Sequence, residues 1–155
     1  MIDVNQESKY IIVQLGHEEF AVGISQVRSI EHVMKITAVP DASDDVMGMI
    51  HLRDEVLPVI DLRKRMAVSS PPASDGQQRL IIAILNGGNV GLLVDSGSEV
   101  LDIEKKAIQP APPLLQSNGD YITGVARLEN RLVIILDIEK LPNMGEVEQL
   151  LARAN

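Results

Sequence analysis

The same pattern of residues occurs twice in this chain. Residues 48–62, GMIHLRDEVLPVIDL, lie over residues 124–138, GVARLENRLVIILDI, without a gap at an offset of 124 − 48 = 76. Gly48 meets Gly124, Leu52 meets Leu128 and Asp61 meets Asp137, and apolar residues meet apolar residues between them. Upstream, YIIVQLGHEEFAVGI (10–24) lies over LIIAILNGGNVGLLV (80–94) at an offset of 80 − 10 = 70, and Pro40 lies over Pro110. The six-residue difference falls between Pro40–Gly48 and Pro110–Gly124. A gapless register with matching turns and a shared Asp reads as an internal duplication. Whatever one half folds into, the other half must fold into as well.

Each half reads as β structure. Residues 10–15, 20–24, 80–85, 90–94 and 132–136 are short apolar runs rich in Val and Ile, too short for typical helices. Gly16-His17-Glu18-Glu19 and Asn86-Gly87-Gly88-Asn89 separate paired runs as hairpin turns. The Ser/Pro/Ala/Gly-rich stretch 67–78 is the linker between lobes at 10–66 and 79–141. A half of about 70 residues buries too little core to stand alone, so the two β units are expected to share an apolar seam within a single domain spanning 1–155. Helical pieces are few. Ser25–Glu31 reads as a short helix capped by Ser25, Asp41–Met47 as another turn of helix, and 145–154 as an amphipathic C-terminal helix with Val147, Leu150 and Leu151 on one side.

Composition narrows the function. Lys and Arg total 14 and Asp and Glu total 22, a net charge of 14 − 22 = −8. Phosphate backbones and anionic lipid would repel such a chain. Phe20, Tyr10 and Tyr121 are the whole aromatic complement, too few to stack single-stranded bases. With no Cys and three dispersed His, thiol chemistry, disulfides and His-rich metal sites drop out. No apolar run reaches the roughly 20 residues of a membrane span, and the N-terminus lacks a secretory pattern. The expectation is a cytoplasmic domain with no nucleic-acid partner and no direct membrane insertion.

One motif suggests an enzyme. Asp95-Ser96-Gly97, after the apolar run to Val94, looks like the Asp-Ser/Thr-Gly loop of retroviral-type aspartic proteases, whose chemistry needs two carboxylates sharing a proton. No matching downstream pattern follows, and the repeat partner of Asp95 is Ser25, so an ordinary turn is the favoured reading. Asp61 and Asp137 each end an apolar strand and read as caps. Gly87-Gly88 lacks the Lys-Ser/Thr and opening helix of a phosphate cradle. Arg63-Lys64-Arg65 and Lys105-Lys106 read as solvated strand ends, the first cluster also able to meet an acidic partner. His51 lacks a partner at ligand spacing. Met34, Met47 and Met49 fill core or line a soft protein-binding surface. No nucleophile–base pair, metal cluster or cofactor loop emerges, so no catalytic, cofactor-binding or metal residue is assigned.

The stretch VMGMIHLRDEVLPVIDLRKR, from Val46 to Arg65, resembles the CheW family of bacterial chemotaxis coupling proteins. Supporting stretches are FAVGISQVRSI (20–30), TAVP (37–40), VGLLVDSGSEVL (90–101), IQPAPP (108–113) and GVARLENRLVIILDIEKL (124–141). The resemblance implies two SH3-like five-stranded β-barrels around a shared core. It implies a non-catalytic adaptor, without cofactor, that links the cytoplasmic tip of methyl-accepting receptors to the regulatory domain of the histidine kinase CheA. The location implied is cytoplasmic, at membrane-associated receptor arrays, and other CheW-like domains are a further class of partner. Receptor contacts map onto Val27, Ile30 and Arg53; kinase contacts map onto the hairpin regions around Gly48 and Gly124. A CheW-like scaffold in a non-motility array stays open beside this reading. The chain departs from the family at His51, where Asn is usual, at Asp54, where Gly is usual, at Ser29, where many members have Glu, and at Gly97, where an apolar residue is usual. Without Glu at 29, Arg53 needs another acceptor, such as Glu31, Asp54 or a partner's carboxylate. Asp54 and Asn130 are the expected left-handed turn residues.

Overall fold

The duplication appears strand by strand in the computed structural model, which describes residues 8–40, 42–71, 76–85, 88–116 and 121–141. The first half supplies β1 (Lys9–Leu15), β2 (Glu18–Gly23), β3 (Val27–His32), β4 (Val46–Leu52) and β5 (Glu55–Asp61), then the one-turn α1 (Leu62–Arg65). The second half supplies β6 (Arg79–Leu85), β7 (Gly88–Val94), β8 (Ser96–Asp102), β9 (Ile108–Gln109), β10 (Ile122–Leu128) and β11 (Arg131–Leu136). β1 and β6 are offset by 79 − 9 = 70, and β4 and β10 by 122 − 46 = 76, the two sequence registers.

The sheets do not follow the halves. One sheet runs β8-β1-β2-β11-β10-β9 and the other β3-β6-β7-β5-β4. The β1–β2 hairpin is thus built into strands of the second half, and β6–β7 into strands of the first. Parallel joins of β11 to β2 and of β5 to β7 complete the exchange. The stretches 10–66 and 79–141 are therefore not the two sheets, since each sheet draws on both.

This interleaving explains the apolar runs. Successive side chains of a strand face opposite ways. On β1, Ile11, Val13 and Leu15 enter a core shared by the two sheets, while Ile12 faces a second cluster with Ala21, Ile103, Ala126, Val133 and Ile135. On β6, Ile81, Ala83 and Leu85 enter the shared core, while Leu80 and Ile82 join Ile50, Leu52, Leu57, Val59 and Leu93. Each sheet thus curls around its own cluster as a small barrel, and a third cluster joins the barrels. Strands buried on both faces read as continuous rather than alternating apolar runs.

Two expected helices are not there. Ser25–Glu31 is a 3₁₀ turn at Ile24–Gln26 followed by β3; Gly23 stands at the cap position and Ser25 caps nothing. β3 pairs antiparallel with β6, and its register shifts between Val27 and Ser29. That inserted residue brings Val27 and Ile30 onto one face, where both pack against the shared core. A bulge in a period-2 strand produces a spacing of three, which in sequence imitates a helix. In the second case, a turn at 44–45 leads directly into β4, and Asp41 lies outside the described residues. The expected C-terminal helix at 145–154 also lies outside them, as do the turn residues Asn86 and Gly87 and positions 72–75 of the linker.

Candidate protein-binding site

The β4–β5 hairpin closes through Arg53 and Asp54, with Leu52 opposite Glu55. Arg53 carries the left-handed backbone, φ 54°, and so does its repeat counterpart Glu129 at φ 46°. The expectation of Asp54 and Asn130 at those positions is off by one residue. A positive φ at the first central residue suits the mirror-image turns that match strand twist. Leu52 is buried, so Arg53 turns outward, its side chain 64% exposed.

Ion pairs draw this tip against β3. Arg53 Nη2 lies 3.7 Å from Glu31 Oε2, an electrostatic contact longer than a hydrogen bond. Arg28 Nη1 donates to Glu55 Oε2 at 2.5 Å, and Asn89 Nδ2 donates to the same oxygen at 3.4 Å. The Arg28 hydrogen bond holds the Glu55 carboxyl below the usual carboxylate range. Val27 and Ile30 are half-buried on β3 and pack against the shared core, and Arg53 meets that strand at Glu31. Of the partners expected for Arg53, Glu31 is the one it faces, and the Ser29 hydroxyl is buried without a hydrogen-bond partner. His51 is exposed opposite Val56, while Met34 and Met47 pack onto the cluster inside the β3-β6-β7-β5-β4 barrel and Met49 is half-buried.

Gly48 and Gly124 are buried and present no surface to a partner. Each sits at a strand register shift. A Cβ on Gly48 would stand 2.1 Å from the Thr37 carbonyl oxygen, and one on Gly124 would stand 2.6 Å from Ile108 Cγ2. Their lack of a side chain admits the crossing strand. Contacts at these hairpins must come from neighbouring residues.

The enzyme reading fails at Asp95. The side chain is buried, and Oδ2 accepts from the Gly16 amide at 2.6 Å and from Arg63 Nη1 at 2.5 Å. Its partner is a guanidinium, so no proton is shared between carboxylates. Arg63 also donates to the Ser70 carbonyl, which fixes the start of the linker over Gly16. Arg65 is buried and pairs with Asp45. Arg63 and Arg65 are therefore internal, and only Lys64 of that cluster is exposed. Asp61 caps α1 by accepting from the amides of Arg63 and Lys64; Asp137 accepts from the amide of Glu139 and from Gln26 Nε2 at 3.0 Å. Among the described residues, no group of three or more His, Asp or Glu is disposed to hold a metal ion.

Two small barrels sharing a core, with an exposed charged hairpin tied to the edge strand β3, define a β-barrel module. Comparison with known proteins gives the family. The CheW-like domain model matches residues 9–146. The chemotaxis protein CheW of Bacillus subtilis is 35% identical over 136 residues, covering 87% of this chain and 86% of that protein. The CheW of Klebsiella aerogenes is 33% identical over 147 residues, covering 93% and 86%. The crystal structure of the scaffolding protein TtCheW from Thermoanaerobacter tengcongensis superposes with a TM-score of 0.77 at 30% identity, covering 84% of this chain and 89% of that one. The chain belongs to the CheW-like family of chemotaxis adaptors.

The sequence reading missed the Arg28–Glu55 pair and a triad on the other hairpin, where Arg131 binds Glu19 and Glu99. The repeat register held a signal for both, since Glu55 and Arg131 differ by 131 − 55 = 76.

Proposed function

We propose that this protein is a non-catalytic adaptor that couples the cytoplasmic tip of methyl-accepting chemotaxis receptors to the regulatory domain of the histidine kinase CheA, in the cytoplasm at membrane-associated arrays. Family membership supports the partners, and other CheW-like domains are a further class of them. The receptor contact is formed by Val27, Ile30 and Arg53. One observation carries that assignment: an exposed guanidinium on the hairpin tip, paired only loosely with Glu31 of β3, the strand that also carries Val27 and Ile30. A carboxylate or carbonyl group of a receptor helix would take Arg53 in a bidentate contact, and Arg in such settings is a common hot spot. Kinase contacts are formed at the barrel ends by residues flanking Gly48 and Gly124. The test is a binding titration of the wild type and Arg53→Ala against receptor-tip fragments and the kinase regulatory domain. A loss of tenfold or more for the receptor fragment is expected; unchanged affinity for both removes Arg53 from the interface.

A further inference from the structure

The parallel join of β2 and β11 borders a cavity of about 310 Å³. Phe20 and Ile134, opposite each other across that join, line it, as do Ile122 of β10 and Met66 and Val68 of the linker start. The linker start is fixed there. Met66 and Val68 donate their amides to the carbonyls of Leu62 and Arg63, and Arg63 donates to the Ser70 carbonyl. The walls are thus formed before anything binds. Two polar side chains mark the ends of the cavity. Glu18 is the next residue on the face of Phe20 and Val22; it is exposed and has no ion-pair partner among the described residues. Tyr121 lies toward the other end, since its carbonyl accepts the amide of Asp137, three residues beyond Ile134. Tyr121 is 7% exposed, and its hydroxyl has no hydrogen-bond partner among the described residues. The fold demands neither group. The Asp45 carbonyl accepts the amide of Asp61 just as Tyr121 accepts that of Asp137, which makes Asp45 the counterpart of Tyr121 at 121 − 45 = 76. Asp45 pairs with Arg65, and the counterpart of Glu18, at 88 − 18 = 70, is Gly88.

We propose that this cavity is a binding site for a small amine with an apolar, ring-sized body and a hydroxyl at the end away from the nitrogen. The ammonium group pairs with Glu18 at the mouth. The body packs on Phe20 and Ile134, and its removal from water drives binding. The far hydroxyl meets the Tyr121 hydroxyl, whose lack of a partner otherwise costs the free energy of an unmade hydrogen bond. The net charge of −8 favours a cation over an anion of the same shape. A ligand of this size, held by one exposed ion pair and one hydrogen bond, binds weakly. None of Val27, Ile30 and Arg53 lines the cavity, so this inference stands or falls independently of the receptor contact.

The test is a titration of the full chain with tyramine, followed by amide chemical shifts at physiological salt, where diffuse attraction to the acidic surface is screened. Two probes of the same shape each lack one end: tyrosol replaces the ammonium by a neutral hydroxyl, and phenethylamine lacks the phenolic hydroxyl. Tyramine is expected to shift the amides of Phe20, Val68 and Ile134 saturably, with an affinity in the millimolar range and at least threefold tighter than either probe. Glu18→Gln, at an exposed position, is expected to bind tyramine no better than tyrosol. Tyr121→Phe removes only a hydroxyl and is expected to bind tyramine no better than phenethylamine. A response that does not saturate, tyramine bound no tighter than both probes, or wild-type affinity for tyramine in both variants overturns the proposal.

Discussion

The two hairpin tips occupy equivalent places in the duplication, yet they are tied down with opposite charges. On the first, the hub is a carboxylate: Glu55 takes hydrogen bonds from Arg28 of β3 and Asn89 of β7. On the second, the hub is a guanidinium: Arg131, the counterpart of Glu55, donates to Glu19 of β2 and Glu99 of β8. Glu19 is itself the counterpart of Asn89, at 89 − 19 = 70. The repeated geometry calls for a polar tie from the hairpin start to the two strands across the barrel, and either polarity supplies one. The ties differ in strength. Arg131 grips Glu19 through two nitrogens, Nε at 3.0 Å and Nη2 at 2.6 Å, and Glu99 through two more contacts. The first tip rests on one strong hydrogen bond, with Arg53 held only across 3.7 Å. The tip proposed to meet the receptor is the looser one.

The largest test of the duplication is to cut it. Because each sheet interleaves strands of both halves, residues 1–70 and 77–155 expressed alone are expected to remain unfolded, and mixing them is expected to restore structure. Dispersed amide spectra from either isolated half would show that the exchange of strands is not required for folding.

The glycines at the register shifts come next. Gly48→Ala drives a Cβ into a carbonyl oxygen at 2.1 Å, from a backbone at φ 146°. Gly124→Ala meets first the methyl of Ile108 at 2.6 Å, a side chain able to turn aside. Gly48→Ala is expected to cost roughly 3 kcal/mol or more and Gly124→Ala about half of that. Chemical denaturation of both variants measures the ratio. Equal losses would show that the second crossing is as tight as the first.

Removing the ties should then separate the tips. Arg131→Ala is expected to cost about 1–2 kcal/mol after discounting for partial exposure, and Arg28→Ala about 0–1 kcal/mol. The Arg131 hydrogen bond lowers the Glu99 carboxyl below its usual value. A carboxylate lowered on folding stabilises above its unfolded pKa, and that contribution fades as pH falls through the folded value. The gap between wild type and Arg131→Ala should therefore be full at neutral pH and shrink below about pH 4.5. A gap that is flat from pH 7 to 3 would deny the carboxylates their part.

These contrasts also show what the sequence could reveal. The strands and their pairing into hairpins were legible because both faces of β1, β2, β6 and β7 are buried, which leaves uninterrupted Val and Ile runs. The caps at Asp61 and Asp137 were legible because a cap acts on its own next few amides. β3 was not, because its bulge sets Val27 and Ile30 at a helical spacing. Arg63 and Arg65 were misread as solvated because their partners, Asp95 and Asp45, lie 32 and 20 residues away in sequence. The exchange of strands between halves was also hidden, since two barrels side by side and two barrels interleaved carry the same local pattern. At the candidate site, Val27, Ile30 and Arg53 came from the resemblance alone. Local spacing gave no hint that Glu31 would be the residue facing Arg53.

The smallest expected effect separates strain from use. Arg53 and Glu129 both hold a left-handed backbone that costs a non-glycine residue roughly 1–2 kcal/mol. Glycine adopts it freely but gains freedom in the unfolded chain, which returns about 0.4–1 kcal/mol of that advantage. Arg53→Gly and Glu129→Gly are thus each expected to stabilise the fold by about 0.5–1 kcal/mol, a rise in melting temperature of roughly 1–4 °C for a chain of this size. The contact with Glu31 subtracts little, since an exposed pair at that distance is worth about 0–1 kcal/mol at most. Binding should divide what stability does not. Arg53→Gly is expected to lose tenfold or more in affinity for the receptor-tip fragment, about 1.4 kcal/mol, while Glu129→Gly leaves it unchanged. Thermal melts and titrations on the same two preparations decide the matter. If both variants gain stability and both keep full affinity, the strain at the first tip serves the turn alone, and the receptor contact must rest on Val27 and Ile30 without Arg53.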